Sequence, residues 1–269
     1  MKIVSKGIGT LKDVEFPQTL YKYRDWDNKN NKRFITHREV FMSPPSSFED
    51  ELDCKLPVRY DLLTEKQAMK FAMNLSKRVN PKFNRQKHRQ DSLKWVKEKL
   101  YLKNYEEYTK FYFEEYDKRL GVLSLTEHNC LKEMWEKYAN NHRGFCIGYN
   151  SEKLFNYLGG GGKVEYYDKM PIILPQPMMD IDVARNLQVY QKERKWQFEK
   201  EYRTQKFWIN GGTIHDRQIQ LPTNVFKHII LGDNMSRENE KIIRMEILKS
   251  IGDIPILKEK DVCSKRIIN

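Results

Sequence analysis

The stretch Trp196–Arg203, with the sequence WQFEKEYR, predicts a β-strand, because its aromatic and long side chains favour a pleated surface over a helix. Side chains alternate between the two faces of a strand. Glu199, Glu201 and Arg203 are therefore expected on one face, with aromatic residues on the other. The chain is expected to build its fold around short strands of this kind.

Two carboxylates so close together repel each other, and folding alone gains nothing from that repulsion. The Glu-x-Glu pair therefore indicates a function, in which one group stabilises developing positive charge and the other orients or deprotonates a nucleophile. The alternative is a solvated strand face on which Arg203 screens Glu199 and Glu201, since charged residues usually lie on the surface. The spacing alone leaves both interpretations open.

The order of elements along the rest of the chain predicts an α+β fold with a mixed or antiparallel core of short strands. Residues 1–269 are expected to form one domain, and residues 61–119 a basic helical insertion within it. Further short strands are expected at Thr19–Arg24, Glu39–Ser43, Gly121–Thr126, His228–Leu231 and Ile254–Leu257.

The composition predicts a globular cytoplasmic protein. Of the 269 residues, 39% are hydrophobic and 32% are charged, and no apolar run approaches the roughly 20 residues of a membrane span. The segment Met1–Gly7 lacks the apolar core of a signal peptide. The four cysteines are widely scattered and form no C-x-x-C pair, which gives no indication of a zinc site or a disulfide framework.

The net charge of +12 is concentrated in one segment. Between Lys66 and Lys103 there are twelve Lys or Arg residues, opposed only by Asp91 and Glu98. The segment predicts two helices broken near Pro81, the second starting near Asp91 and extending to Arg119. Lysine-rich helices are often simply soluble.

The asymmetry of charge nevertheless favours a polyanionic partner, most plausibly RNA or DNA. Phe83 and Trp95 are aromatic residues that can stack on bases. The predicted nucleic-acid contacts are Lys77, Arg78, Lys82, Arg85, Lys87, Arg89 and Lys94.

Five ordered motifs carry a family resemblance. They are Leu20–Arg24, Ser43–Asp53, Met134–Tyr149, Trp196–Arg203 and Ile229–Gly232. In this order they resemble the bacterial family filed as domain of unknown function 2971. The resemblance covers roughly residues 20 to 232 and implies no activity.

A second set of residues is similar to the arginine–serine–glutamate arrangement of ADP-ribosyltransferases. It consists of an arginine that ends the first strand, a Ser-x-Thr strand and the later Glu-x-Glu. This resemblance implies an ADP-ribosyltransferase-like fold, with NAD as the substrate that is cleaved at its nicotinamide–ribose bond. It assigns NAD binding to Arg24, Tyr21, Ser124 and Thr126, with the planar guanidinium of Arg24 suited to phosphate oxygens.

The same resemblance assigns catalysis to the two glutamates. Glu201 would hydrogen-bond the ribose and stabilise the oxocarbenium-like transition state. Glu199 would orient or deprotonate an acceptor on a nucleic acid or a nucleic-acid-associated protein. By analogy, a bacterial toxin or anti-phage effector of this kind is expected to have a neutralising, antitoxin-like partner.

Two other classes of function remain open. A metal-dependent nuclease would use Asp50, Asp53, Glu199 and Glu201 to hold Mg²⁺. A non-catalytic nucleic-acid-binding module would leave the Glu-x-Glu strand on the surface. The transferase interpretation requires no metal.

Overall fold

The computed structural model describes residues 15–264. The segment Met1–Gly7, considered above for a signal peptide, lies outside this range. The described chain divides into two compact units. Unit 1 comprises residues 15–47, 119–164 and 195–264, and unit 2 comprises residues 48–118 and 165–194.

The strands and helices alternate along the described chain in a mixed α+β order. The strands are β1 Thr19–Arg24, β2 Glu39–Phe41, β3 Leu120–Thr126, β4 Phe145–Asn150, β5 Gly162–Lys163, β6 Glu165–Tyr167, β7 Gln191–Glu193, β8 Glu201–Phe207, β9 Gln218–Gln220, β10 Phe226–Leu231 and β11 Ile256–Lys258. The helices are α1 Lys29–Thr36, α2 Glu65–Val79, α3 Arg85–Lys97, α4 Leu100–Lys103, α5 Tyr105–Arg119, α6 Lys132–Tyr138, α7 Ser151–Leu158, α8 Ile181–Tyr190, α9 Ile214–Arg217, α10 Arg237–Ser250 and α11 Glu259–Cys263. The predicted α+β class is confirmed.

Unit 1 is built on a seven-stranded sheet in the order β11-β10-β4-β1-β3-β8-β5. All neighbours pair antiparallel except β10 and β11, which pair parallel. β1 and β4 are in register over the whole of β1, and β3 and β8 over the whole of β3. In contrast, β1 and β3 are paired at a single position, Tyr21 with Thr126, which joins the two halves of the sheet.

Each face of this sheet has its own hydrophobic core. The large core contains Leu20, Leu123, Leu125, Phe145 and Ile147, which alternate with the residues of the other face. The small core covers part of the opposite face and contains Tyr21, Tyr23, Trp135, Ala139, Cys146 and Ile230. The α6 helix supplies Trp135, which is fully buried in the small core.

Unit 2 has its own hydrophobic core, formed by residues of its helices and of the segments that connect them. The buried members of this core are Leu56, Val58, Tyr60, Leu63, Ala68, Tyr101, Ile173, Met179 and Ala184. Trp95 packs against them and makes ring contacts with Phe71, Tyr101 and Tyr108. The Trp95 ring therefore packs partly into this core, and its stacking on bases stays a prediction.

The predicted break between two helices near Pro81 is confirmed, but the predicted course of the second helix is wrong. Helix α3 begins at Arg85, because the side chain of Asn84 accepts a hydrogen bond from the Lys87 N–H and caps it. A left-handed residue, Lys99 (φ 51°), then follows α3 and separates it from α4 and α5.

Two cysteines in unit 1 are joined across the chain. Cys130, between β3 and α6, and Cys263, at the end of α11, form a disulfide with a Cα–Cα distance of 5.5 Å, while Cys54 and Cys146 are free and buried. The cysteine spacing gave no indication of this disulfide, because partners 133 residues apart meet only through tertiary folding. Among residues 15–264, no helix is long and apolar enough to span a bilayer.

Candidate functional site

The Glu-x-Glu segment is only partly a strand. Residues Arg194–Glu199 form a 3₁₀ turn, and β8 begins at Glu201. Between them, Lys200 has a left-handed backbone with φ 44°, which a non-glycine residue adopts rarely. The predicted alternation of Glu199 with Glu201 along one strand is therefore wrong, because the turn and Lys200 redirect the chain before the strand starts.

Glu201 and Arg203 form a buried ion pair on one face of β8. The Arg203 Nε and Nη2 groups donate to the two carboxylate oxygens of Glu201 at 2.7 and 2.8 Å. The two residues are 3% and 0% exposed. The interpretation of a solvated strand face is therefore wrong for this pair. Two charges buried in this way depend on each other, since each offsets the desolvation of its partner.

Three predicted site residues meet in one row across the sheet. Tyr21 on β1 pairs with Thr126 on β3, and Thr126 pairs with Glu201 on β8. Partners in an antiparallel ladder project from the same face, and neighbouring strands lie about 4.8 Å apart. The Thr126 hydroxyl accepts a hydrogen bond from the His128 N–H at 3.2 Å. The structure thus brings Tyr21, Thr126 and Glu201 together.

Ser124 joins this group one step along the same strands. It pairs with Arg203 in the β3–β8 ladder, on the face that carries Thr126 and Glu201. The predicted Ser-x-Thr motif therefore lies beside the buried Glu201–Arg203 pair. This row of hydroxyl and charged groups is unusual for a sheet face that is otherwise apolar.

Arg24 is not part of this row. By register it pairs with Phe145, and its guanidinium lies 4.6 Å from the centre of the Phe34 ring, on the large-core side of β1. Its Nη1 donates to the Tyr23 carbonyl at 3.2 Å, and its buried Nε has no hydrogen-bond partner among the described residues. Burial lowers the pKa of Arg24 to about 10. The structure therefore separates Arg24 from Glu201 by the thickness of the sheet.

His228 on β10 extends the row of Tyr21, Thr126 and Glu201 beyond Tyr21. The sequence did not predict this position for His228. It pairs with Gly148, which in turn pairs with Tyr21. A Cβ at Gly148 would lie 2.6 Å from His228 Nε2, so the glycine makes room for the imidazole ring. Burial lowers the pKa of His228, and its buried Nε2 has no partner in residues 15–264. The glycine within a strand was the only sequence signal for this packing.

Glu199 lies in a different environment from Glu201. It is 4% exposed and accepts a hydrogen bond from the Tyr138 hydroxyl at 2.9 Å. The neighbouring residue of α6, Lys137, places its Nζ 4.5 Å from the centre of the Trp196 ring. No motif in the sequence indicated the contact of Tyr138 with Glu199.

The predicted nucleic-acid contacts lie on what we call the basic hairpin, residues 65–97, which comprises α2, α3 and the turn between them. All seven of these residues are exposed, and none of them forms an ion pair in the part of the chain that the structure describes. They are Lys77, Arg78, Lys82, Arg85, Lys87, Arg89 and Lys94. The hairpin therefore presents uncompensated positive charge to solvent.

A small polar cluster joins the two helices of the basic hairpin. The Ser76 hydroxyl on α2 lies 2.9 Å from His88 Nδ1 and donates to an Asp91 carboxylate oxygen at 3.1 Å, both on α3. Ser76 and His88 are 5% and 6% exposed. Since the serine donates to the aspartate, the cluster is an interhelical tie rather than an activated nucleophile. No motif in the sequence indicated this cluster.

The acidic residues considered for a nuclease lie in separate parts of the fold. Asp53 forms a buried ion pair with Lys192 at 3.3 Å, and Asp50 accepts a hydrogen bond from the Leu52 N–H at 3.2 Å, both within unit 2. Glu199 and Glu201 belong to unit 1. Within residues 15–264, no group of three or more His, Cys, Asp or Glu side chains is placed to hold a metal ion.

Comparison with known proteins identifies a family for one segment. The model of a family described as "Protein of unknown function (DUF2971)" matches residues 134–204, which include α6, β4 and the start of β8. Over these residues the chain is similar to that family, which supports the family that the sequence motifs indicate. No curated protein and no solved structure matches the chain.

Proposed function

We propose that the protein binds nucleic acid through the basic hairpin. The observation that carries this proposal is the exposed set of seven Lys and Arg side chains, which have no carboxylate partners among residues 15–264. A cation that already forms a salt bridge has less to gain from a phosphate, whereas an unpaired one is available to it. Each phosphate contact also releases condensed counterions, which favours binding at low salt.

The architecture of the basic hairpin supports the same function. The buried tie between Ser76 and His88 fixes α2 against α3, so the basic side chains lie on a defined surface rather than on a flexible segment. Phe83 in the turn lies 5.8 Å from Lys87 Nζ and remains partly exposed. A ring beside cations is the arrangement by which single-stranded nucleic acids are stacked and neutralised.

The test is binding of fluorescent single-stranded RNA and DNA at low salt, measured by anisotropy. The variant Lys77→Gln, Arg78→Gln, Lys82→Gln, Arg85→Gln should bind about tenfold or more weakly than wild type. The control removes four exposed charges of unit 1, Lys153, Arg237, Lys241 and Lys249, in the same way. Equal losses in both variants would show that net charge, and not the basic hairpin, governs binding.

A second candidate is NAD-dependent ADP-ribosyl transfer on an ADP-ribosyltransferase-like fold. The pairing of Thr126 with Glu201 across adjacent strands favours it, because the resemblance requires these groups to act on one ribose. In this proposal Tyr21, Ser124 and Thr126 bind NAD. Arg24 lies on the other face of the sheet, so this proposal does not assign the NAD phosphates to it.

The proposed reaction is a group transfer. The bond between the nicotinamide nitrogen and the ribose carbon breaks, and nicotinamide leaves with the electron pair. Glu201 stabilises the positive charge on the ribose, and the guanidinium of Arg203 orients that carboxylate. The oxygen or nitrogen atom of the acceptor then bonds to the ribose carbon, and Glu199 takes the proton that this atom loses. With this activity, the protein would be a toxin or anti-phage effector with a neutralising partner.

Release of nicotinamide from labelled NAD, in the presence of cell RNA and protein, tests the second candidate. Wild type should release nicotinamide, and Glu201→Gln should lose this activity while an unfolding curve shows that it remains folded. The matched control is Glu152→Gln, an exposed glutamate of α7. Absence of release by wild type with every acceptor would contradict transfer, and cleavage of nucleic acid that stops in EDTA would indicate the nuclease instead.

A further inference from the structure

Helix α11 is attached to the rest of unit 1 by contacts of three kinds. Its last residue, Cys263, forms the disulfide with Cys130. Its first residue, Glu259, places a carboxylate oxygen 2.7 Å from His142 Nδ1. Between these ends, Val262 packs against the small core. A covalent bond, a polar contact and an apolar contact therefore act together on a helix of five residues.

The small core against which α11 packs contains a free thiol. Cys146 is 0% exposed and belongs to this core together with Tyr23 and Trp135. Burial, and after it the negative charge of Glu259, raises the pKa of the Cys146 thiol. The influence of Glu259 on this thiol indicates that α11 lies over the part of the small core that contains Cys146.

The chain immediately before α11 is held independently of the disulfide. Strand β11 pairs in parallel with β10 at three positions, and Lys258, its last residue, forms an ion pair with Glu240. Helix α11 itself is too short to be stable without tertiary contacts. Loss of the contacts of α11 would therefore release the chain after Lys258 and leave the sheet in place.

The disulfide is accessible to a reductant, unlike the two free thiols. Cys130 and Cys263 are partly exposed, whereas Cys54 and Cys146 are fully buried. Reduction by a dithiol begins when its thiolate attacks one sulfur atom of the bond, which must therefore be within reach. The Cys130–Cys263 bond breaks, each cysteine takes one proton, and the dithiol loses two electrons and closes to its own disulfide.

We infer that the bond between Cys130 and Cys263 is a redox switch that controls access to the small core. In the oxidised protein, α11 stays over this core and shields Cys146. After reduction, α11 keeps only its non-covalent contacts, chiefly those of Glu259 and Val262, and it opens locally and exposes the Cys146 thiol. The inference is independent of both proposed functions.

The experiment measures the rate at which iodoacetamide alkylates each cysteine of the native protein, by mass spectrometry of its peptides. Wild type is compared before and after treatment with dithiothreitol, which is removed without air before alkylation. Reduction should raise the rate at Cys146 about tenfold or more. The rate at Cys54, which is buried in unit 2, is the internal control and should not change.

A variant without the bond provides the second measurement. In Cys130→Ser, Cys263→Ser, the thiol of Cys146 should be alkylated at the rate of the reduced wild type. Dithiothreitol should not change this rate, because the variant has no bond for it to reduce.

Three results would overturn the inference. Alkylation of Cys130 and Cys263 in the untreated protein would show that the two thiols are not joined. An unchanged rate at Cys146 after both thiols have been released would show that α11 stays in place without the bond. An equal increase at Cys54 and Cys146 would show that reduction loosens the whole fold rather than α11.

Discussion

Strand β8 and the basic hairpin deal with charge in opposite ways. In β8, Glu201 and Arg203 are buried and bind each other through two hydrogen bonds. In the hairpin, seven cations are exposed and unpaired within the described chain. A buried charge needs a partner of opposite charge, so the stability of the fold depends on the pair. Exposed charges contribute little to the stability of the fold and remain available for a ligand. The difference separates charges that maintain structure from charges that are accessible to a ligand.

The largest effect on stability is expected from breaking the buried pair. Arg203→Met leaves the Glu201 carboxylate buried without its partner and should lower the free energy of unfolding by about 3 to 5 kcal/mol. Arg85→Met, the same change in the basic hairpin, should alter it by less than about 0.5 kcal/mol. Urea unfolding followed by circular dichroism measures both.

The double variant Glu201→Gln, Arg203→Met provides the internal control. Neutralising the carboxylate should recover a large part of the stability that Arg203→Met loses, because the cost comes from the unpaired charge. A loss below about 1 kcal/mol in Arg203→Met, with no recovery in the double variant, would contradict the contrast between β8 and the hairpin.

A smaller effect on stability is expected from removing the disulfide of unit 1. Cys130→Ser should lower the free energy of unfolding by about 2 to 4 kcal/mol under non-reducing conditions, because the disulfide with Cys263 closes a long loop. A thiol assay on the denatured wild type without reductant should find two thiols, from Cys54 and Cys146. Four thiols, or a loss in Cys130→Ser that persists equally in reductant, would contradict the presence of this bond.

Inside the basic hairpin, the contact between Ser76 on α2 and His88 on α3 is buried, unlike the seven exposed cations. His88→Ala removes one of the two partners of the Ser76 hydroxyl and should lower the free energy of unfolding by about 1 to 3 kcal/mol. Gln90→Ala, at an exposed position of α3, should change it by less than about 0.5 kcal/mol. Equal effects of the two substitutions would show that the tie does not stabilise the hairpin.

The two units should lose stability together at alkaline pH. Burial raises the pKa of Tyr60 in unit 2 and of Tyr202 in unit 1 to about 12, from the usual value near 10. The unfolded chain therefore releases these protons first, so stability is full below pH 10 and falls as the pH rises towards 12. Tyr202→Phe should make this fall shallower in unfolding curves measured at a series of pH values, and an unchanged slope would contradict the burial.

The sequence predicts those elements that local signals determine. Pro81 marks the break between α2 and α3, and the alternation of apolar residues gives the sheet strands and the α+β class. The course of the chain at Lys200 is not predictable in this way, because a single left-handed residue has no signature in the side-chain pattern. Strand alternation assigns Arg203 to a face but does not say what covers that face, so its burial was missed.

The candidate site is predictable to a similar extent. The resemblance assigned Tyr21, Thr126 and Glu201 to one site, and the sheet brings these three residues into one row, while their functional roles stay predictions. The hydrogen bond from Tyr138 to Glu199 depends on tertiary packing. The position of Arg24 on the face opposite to Glu201 depends on strand register. No spacing in the sequence specifies either of them.

The central claim is that the unpaired cations of the basic hairpin bind nucleic acid, and the salt dependence of affinity tests it most directly. For wild type, the logarithm of the binding constant for single-stranded RNA should fall linearly with the logarithm of salt, with a slope of about −0.7 for each phosphate contacted. The variant lacking Lys77, Arg78, Lys82 and Arg85 should have a slope smaller by about 2 to 3, while unfolding is unchanged. Identical slopes for the two proteins would contradict the claim.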